Sequence, residues 1–295
     1  MSAATIKRVR SGAGLVAALA LVLGGAGCGG GGDEAFEPPA AQDPGPIHVH
    51  ALGIDPADGS LFIATHTGLW RVADDEAAER VGELFQDTMA FTVAGPGRFL
   101  GSGHPDLREA REKKLPPHLG LIESRDGGET WAPVSLLGEA DFHILRFSGK
   151  RVFGYDATND RLMVSGDSGA TWAQRPRPEP LVDLVVDPSD PDHLIASGEL
   201  GLYESTDAGS SWGPAFGGTG LLAWPTPRRL YLAVAGGLVF VSADAGRSLT
   251  QVGDLGGEPA ALLATSELEL YAALHDSTIL RSADGGASWA VRSRP

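Results

Sequence analysis

"SGDSGATW" at residues 165–172 decides the architecture, because the chain repeats it. "SRDGGETW" (124–131), "STDAGSSW" (205–212), "SADAGRSL" (242–249) and "SADGGASW" (282–289) follow the same pattern, S-x-D-x-G-x-[ST]-[WL]. Their starts lie 41, 40, 37 and 40 residues apart, a period typical of stacked supersecondary units. A sixth, eroded copy is "VADDEAAE" (72–79), since "GLWRV" before it parallels "GLIES" at 120–124. The 52-residue gap between these two copies holds an insertion. Within a copy, glycine frees the backbone for a tight turn while the Ser and Asp side chains bond turn amides. The Trp that follows opens the next strand and packs on neighbouring elements.

Between copies lie further β-like runs. In the third unit "FHILRFSG" (142–149), "RVFGYDA" (151–157) and "RLMVSGD" (161–167) precede the turn and "TWAQR" (171–175) follows it. Four strands per unit make a propeller blade. Six units over residues 47–295 predict an all-β, six-bladed β-propeller. The last unit carries its own fourth strand, so either the ring closes without a shared blade or the tether lends an outer strand. The repeated turn resembles the Asp-box, or BNR, repeat of sialidases, sortilin-type receptors and several glycoside hydrolases. That resemblance implies the architecture and says little about function.

Composition narrows the chemistry. Hydrophobic residues make up 42% of the 295, enough for a substantial core, and 41 Gly with 20 Pro favour short strands and turns. A net charge of −15 excludes nucleic acid as an expected partner and suits cations. Residues 1–28 read as an export leader: Lys7, Arg8 and Arg10 precede the apolar "GLVAALALVLGGAG" (14–27), which is short for a membrane span. Its end, "GGAGC" (24–28), resembles a bacterial lipoprotein cleavage box. The resemblance implies lipidation of Cys28 and an extracytoplasmic protein anchored to the cell membrane. Cys28 is the only cysteine, so no internal disulfide forms. Residues 29–46, "GGGGDEAFEPPAAQDPGP", read as a flexible tether. A monomer is expected.

The histidines are distributed unevenly. Strands A to D of a blade, counted from the axis, alternate in direction. The starts of A and the ends of B therefore share one face of the disc, and the repeated turns lie on the other. In "PIHVHALGID" (46–55), His48 and His50 are two apart, so an extended chain projects them from one side. Alignment of the units sets His50 beside Met89, His143 and Asp183, and His48 beside Asp87 and Asp141. His66 and His275 end B strands, His104 is displaced by one residue, and Asp156 and Glu199 lie nearby. Six of the eight histidines thus gather at one mouth of the axial channel. His193 falls on the opposite face and reads as incidental. His118 belongs to the insertion "HPDLREAREKKLPPHL" (104–119), which reads either as a lid over the mouth or as a charged excursion.

Three functions are compatible with such a mouth. The first is a transition-metal site, with copper or zinc held by a subset of His48, His50, His66, His104, His143 and His275. Met89 would favour copper, and Asp141 would act as a ligand or orient an imidazole. The His-x-His pair supplies two nitrogens and His143 or His104 a third. The second is a glycoside hydrolase acting on an extracellular glycan. The chain resembles secreted bacterial Asp-box proteins labelled glycosyl-hydrolase-like or exo-sialidase-like, with Asp87, Asp141, Asp156, Asp183 and Glu199 as candidate acid and nucleophile. A true sialidase is not expected, because the arginine triad and the F/Y-R-I-P motif of that family have no counterpart here. The third is a non-catalytic adaptor or assembly scaffold. No organic cofactor is expected, since glycine runs such as "GSGHP" (101–105) are no phosphate loop.

Overall fold

Leu61–Thr65 shows how the strands build the core: all five residues are buried, yet they serve two different interfaces. Leu61 and Ile63 pack toward one neighbouring blade, while Phe62 and Ala64 pack toward the other. Alternate side chains point to opposite faces of a sheet, and here both faces are covered. The same division recurs in blade four, where Leu194 and Ala196 face one neighbour and Ile195 the other.

The computed structural model describes residues 43–73, 77–215 and 217–294. It contains six four-stranded antiparallel sheets, each made of four consecutive strands. Blade one comprises Val49–Ile54, Leu61–Thr65, Gly68–Val72 and Glu79–Val81. The innermost strands of blades two to six are Asp87–Gly95, Phe142–Ser148, Leu181–Asp187, Leu221–Thr226 and Pro259–Ala264. Each packs against the next, and that of blade six meets that of blade one, which closes the ring. The fold is therefore the predicted six-bladed propeller. Its one described helix, Leu107–Lys113, lies in the insertion and was not anticipated.

Closure needs no shared strand. Blade six ends on its own outer strand, Ala290–Ser293, and blade one on Glu79–Val81. The seam is instead apolar: Val49, Leu52, Leu61, Ile63, Trp70 and Val72 of blade one pack on Ala261, Ala273 and Ile279 of blade six. Just before blade one, Arg80 binds the Asp43 carboxylate at 2.5 and 2.6 Å, and Thr67 Oγ1 donates to the Gly45 carbonyl at 2.6 Å. The leader, Cys28 and the tether up to residue 42 lie outside the described residues.

The repeated turns obey the mechanics expected of them. In blade three, buried Ser165 Oγ donates to Asp167 Oδ1 at 2.8 Å and accepts the Gly169 amide at 2.8 Å. Asp167 also accepts the Thr171 amide and hydroxyl at 2.8 and 2.7 Å. Ser168 and Gly169 are both left-handed, with φ of 62° and 90°. A Cβ on Gly169 would stand 2.0 Å from Leu121 Cδ2 of the preceding blade. The Trp after four of the turns packs onto the junction with that preceding blade, as Trp131, Trp172, Trp212 and Trp289 show, and Leu249 takes its place in blade five. Blade one lacks this Trp, and at its junction Trp70 from the preceding strand fills the core.

Candidate functional site

The histidine face is organised by two aspartates at equivalent strand starts. Asp87 begins the innermost strand of blade two and reaches back to blade one. Its Oδ2 lies 2.8 Å from His66 Nδ1, and its Oδ1 lies 3.3 Å from His50 Nε2. The His50 nitrogen and that Oδ1 are buried and make no hydrogen bond. The three potential donor atoms of His50, His66 and Asp87 all lie within 4.8 Å of one another. His48 has its ring centre 6.2 Å from that of His66.

One expectation about this stretch does not hold. The strand begins only at Val49, a bulge separates Val49 from Ala51, and His48 is left-handed with φ 54°. The simple extended register assumed for His48 and His50 is therefore broken. Tertiary packing sets the backbone here, and His50 finds ligand-distance partners in His66 and Asp87 rather than in its sequence neighbour.

Asp141 repeats the arrangement one junction further on. Its Oδ2 lies 3.2 Å from His143 Nε2 and 3.7 Å from His104 Nε2. His104 Nδ1 donates to the Pro117 carbonyl at 2.9 Å, so in the neutral ring Nε2 is the acceptor nitrogen, and it is the one that faces Asp141. Donor atoms of His104, His118 and Asp141 also lie within 4.8 Å of one another. Burial pushes the Asp141 carboxyl up, but the bond from His143 and the charges of His143, His104 and His118 together hold it below the usual range.

Sequence reasoning left His118 unassigned, although a signal existed. The insertion begins at His104 and ends at His118, and the strands flanking it are neighbours in one sheet. Leu119 N donates to the Gly103 carbonyl at 2.9 Å, so both ends of the loop return to one place.

A mouth cavity of about 400 Å³ is lined by His48, His50, Met89, His143 and His275, with Val49 and Ala260. It leads to an axial channel of about 670 Å³ walled mostly by small and apolar residues of the innermost strands. The other carboxylates singled out above are differently employed. Asp156 is fully buried and bonds Arg161 at 2.5 Å, Asn159 and the Asp141 amide. Asp183 lies in the channel wall, where Arg146 binds it at 2.5 Å and the Leu184 and Leu222 amides donate to it. Burial pushes the Asp183 carboxyl up against the pull of those partners. Glu199 is exposed in the turn after the Asp190–Gly198 strand. His193, on the opposite face, is held between Asp187 at 3.1 Å and Glu204 at 2.8 Å.

The fold defines the class: a six-bladed β-propeller with an imidazole-rich mouth. No protein-family profile matches the chain. A curated relative, the dispase autolysis-inducing protein of Streptomyces mobaraensis, is 32% identical over 95 residues, covering 32% of this chain and 25% of its own length. The matched segment thus spans about a quarter of that protein's length. Among solved structures, the nidogen/laminin complex has a TM-score of 0.63 at 14% identity, covering 80% of this chain and 93% of the other. The GH74 xyloglucanase of Xanthomonas campestris has a TM-score of 0.54 at 20% identity, covering 84% and 45%. YCF48 of Cyanidioschyzon merolae has a TM-score of 0.52 at 14% identity, covering 85% and 87%. At these identities the likeness is one of fold alone.

Proposed function

We propose that this protein is a lipid-anchored, extracytoplasmic propeller that binds a transition-metal ion, copper or zinc, at its histidine mouth. His50, His66 and Asp87 form the first ligand set. The observation that carries this reading is the facing pair of His50 Nε2 and Asp87 Oδ1, 3.3 Å apart, buried and unbonded. A buried polar atom without a partner carries a desolvation cost, which a cation between the two would relieve. Two imidazoles with a carboxylate suit zinc or copper, and Met89 in the same mouth biases the set toward copper. The net charge of −15 favours accumulation of cations. Anchoring follows from the leader ending at Cys28.

The test is a metal titration of the chelator-washed, untagged protein followed by calorimetry and metal analysis. Asp87→Asn keeps the shape and removes the charge, and should weaken binding about tenfold or more. Binding should also weaken as pH falls, because a protonated imidazole cannot ligate. Unchanged affinity in Asp87→Asn and in His50→Ala would end the proposal.

The GH74 fold likeness favours a second reading, hydrolysis of an extracellular glycan. Glycosidases need one carboxyl group free to act as an acid and another as nucleophile or base. Asp156 and Asp183 are tied to Arg161 and Arg146, and Asp87 and Asp141 to imidazoles, so this reading has weaker support. Release of fluorophore from a panel of aryl glycosides would restore it.

A further inference from the structure

We propose that His104, His118 and Asp141 form a second cation site, separate from the first, that fastens the insertion to the propeller. It extends the metal reading above with residues that the first site does not use. With Nδ1 bonded to the Pro117 carbonyl, the other nitrogen of His104, Nε2, faces the Asp141 carboxylate at 3.7 Å and is the lone-pair nitrogen of the neutral ring. With the ring neutral these are two acceptors facing one another, and a cation between them, a proton or a metal ion, satisfies both. Asp141 is 4% exposed, and its Oδ1 is buried without a hydrogen bond. His118 brings its ring centre to 5.6 Å from that of His104, edge to face. Zinc bonds of about 2.0–2.1 Å in a tetrahedral shell set donor atoms about 3.3 Å apart, so only modest contraction closes this set. His143, donating to Asp141 from 3.2 Å, orients the carboxylate from outside the ligand shell and leaves a fourth position open.

The site repeats the first by the pseudo-symmetry of the ring. Asp141 takes the place of Asp87, and His104 that of His66. At the position of His50, blade two carries Met89, and the third donor comes instead from the insertion. That substitution gives the site a mechanical consequence. The helix Leu107–Lys113 buries none of its residues. The insertion is tied down mainly at its ends, by Asp106 accepting the Phe85 amide at 3.0 Å and His118 accepting the Gly138 amide at 2.9 Å. A cation on His118 adds a third fastening, next to the mouth.

The insertion offers trypsin four exposed sites, Arg108, Arg111, Lys113 and Lys114. The full chain, untagged and stripped of metal, is titrated with zinc by calorimetry and digested with trypsin at zinc about tenfold above the measured Kd. Trypsin's own rate under zinc is checked on a small peptide. If zinc binds only the closed insertion, cleavage slows about tenfold. The expected pattern is two zinc equivalents in the parent chain, and one in His118→Ala with protection lost. His118→Cys should regain both, since thiolate is a zinc ligand. Asp87→Asn should keep the protection and lose the other equivalent. A zinc stoichiometry that His118→Ala leaves unchanged from the parent chain, or a cleavage rate in the insertion indifferent to zinc, overturns the second site and leaves the first standing. No zinc bound by the parent chain overturns both.

Discussion

Asp87, Asp141 and Asp156 have the same side chain and three different employments, decided by what stands opposite. Asp87 faces two imidazoles across a blade junction, Asp141 faces three, and Asp156 is satisfied by a guanidinium, an amide side chain and a main-chain amide. Their presence near strand ends was legible, because register along the repeat places them there. Their partners were not, because each partner arrives from another blade or from the insertion. Gly169 is the opposite case, legible down to its reason. Gly169→Ala forces a side chain into φ 90° and against Leu121 Cδ2, and should cost about 1–3 kcal/mol by chemical denaturation. A smaller effect than Gly166→Ala, where open space surrounds the new methyl, would contradict that account.

At the scale of the element, the repeated turn is an acid-sensitive clasp. Asp167, Asp207 and Asp284 are held at about 2 by bonds from the Thr171, Ser211 and Ser288 hydroxyls and amides and from the preceding serines. Asp126 and Asp244 are lowered for the same reason. A carboxyl whose folded value lies below its unfolded value stabilises the fold above the unfolded value and loses that contribution as pH falls toward the folded one. The turns should therefore contribute fully above about pH 4 and lose their contribution between about pH 4 and about pH 2. Melting temperature followed across that range should fall, and fall less steeply in Asp207→Asn, which has no proton to take up. An equal slope in the variant would show that other carboxylates govern acid unfolding. The helix in the insertion was missed by sequence reasoning. Its N-cap is Asp106, and seven residues between two proline-containing ends carry too little apolar periodicity to announce a helix.

For the whole molecule, the seam decides how the propeller unfolds. Blades one and six meet through an apolar cluster of the same kind as the other junctions, with Ile279 1% exposed against Leu61, Ile63 and Trp70. Ile279→Ala should cost about 2–5 kcal/mol, the range for a buried large-to-small change, in one cooperative transition. Leu194→Ala, at the junction of blades three and four, should cost a similar amount. Early loss of blades one and six alone, seen by hydrogen exchange, would mean that the ring behaves as an open array.

The sequence by itself determined the blade. A period near 40 residues, a turn that only glycine can complete and strands with both faces apolar leave few alternatives, because these are local requirements of the chain. It also determined which face of the disc collects the histidines, since strand direction alternates. Only the tertiary structure decided how they group. His50 turned from His48 to His66 and Asp87, and His118 came to His104 and Asp141, because proximity across blade junctions depends on how sheets stack and where a loop returns, and neither is written in the spacing of residues along one strand.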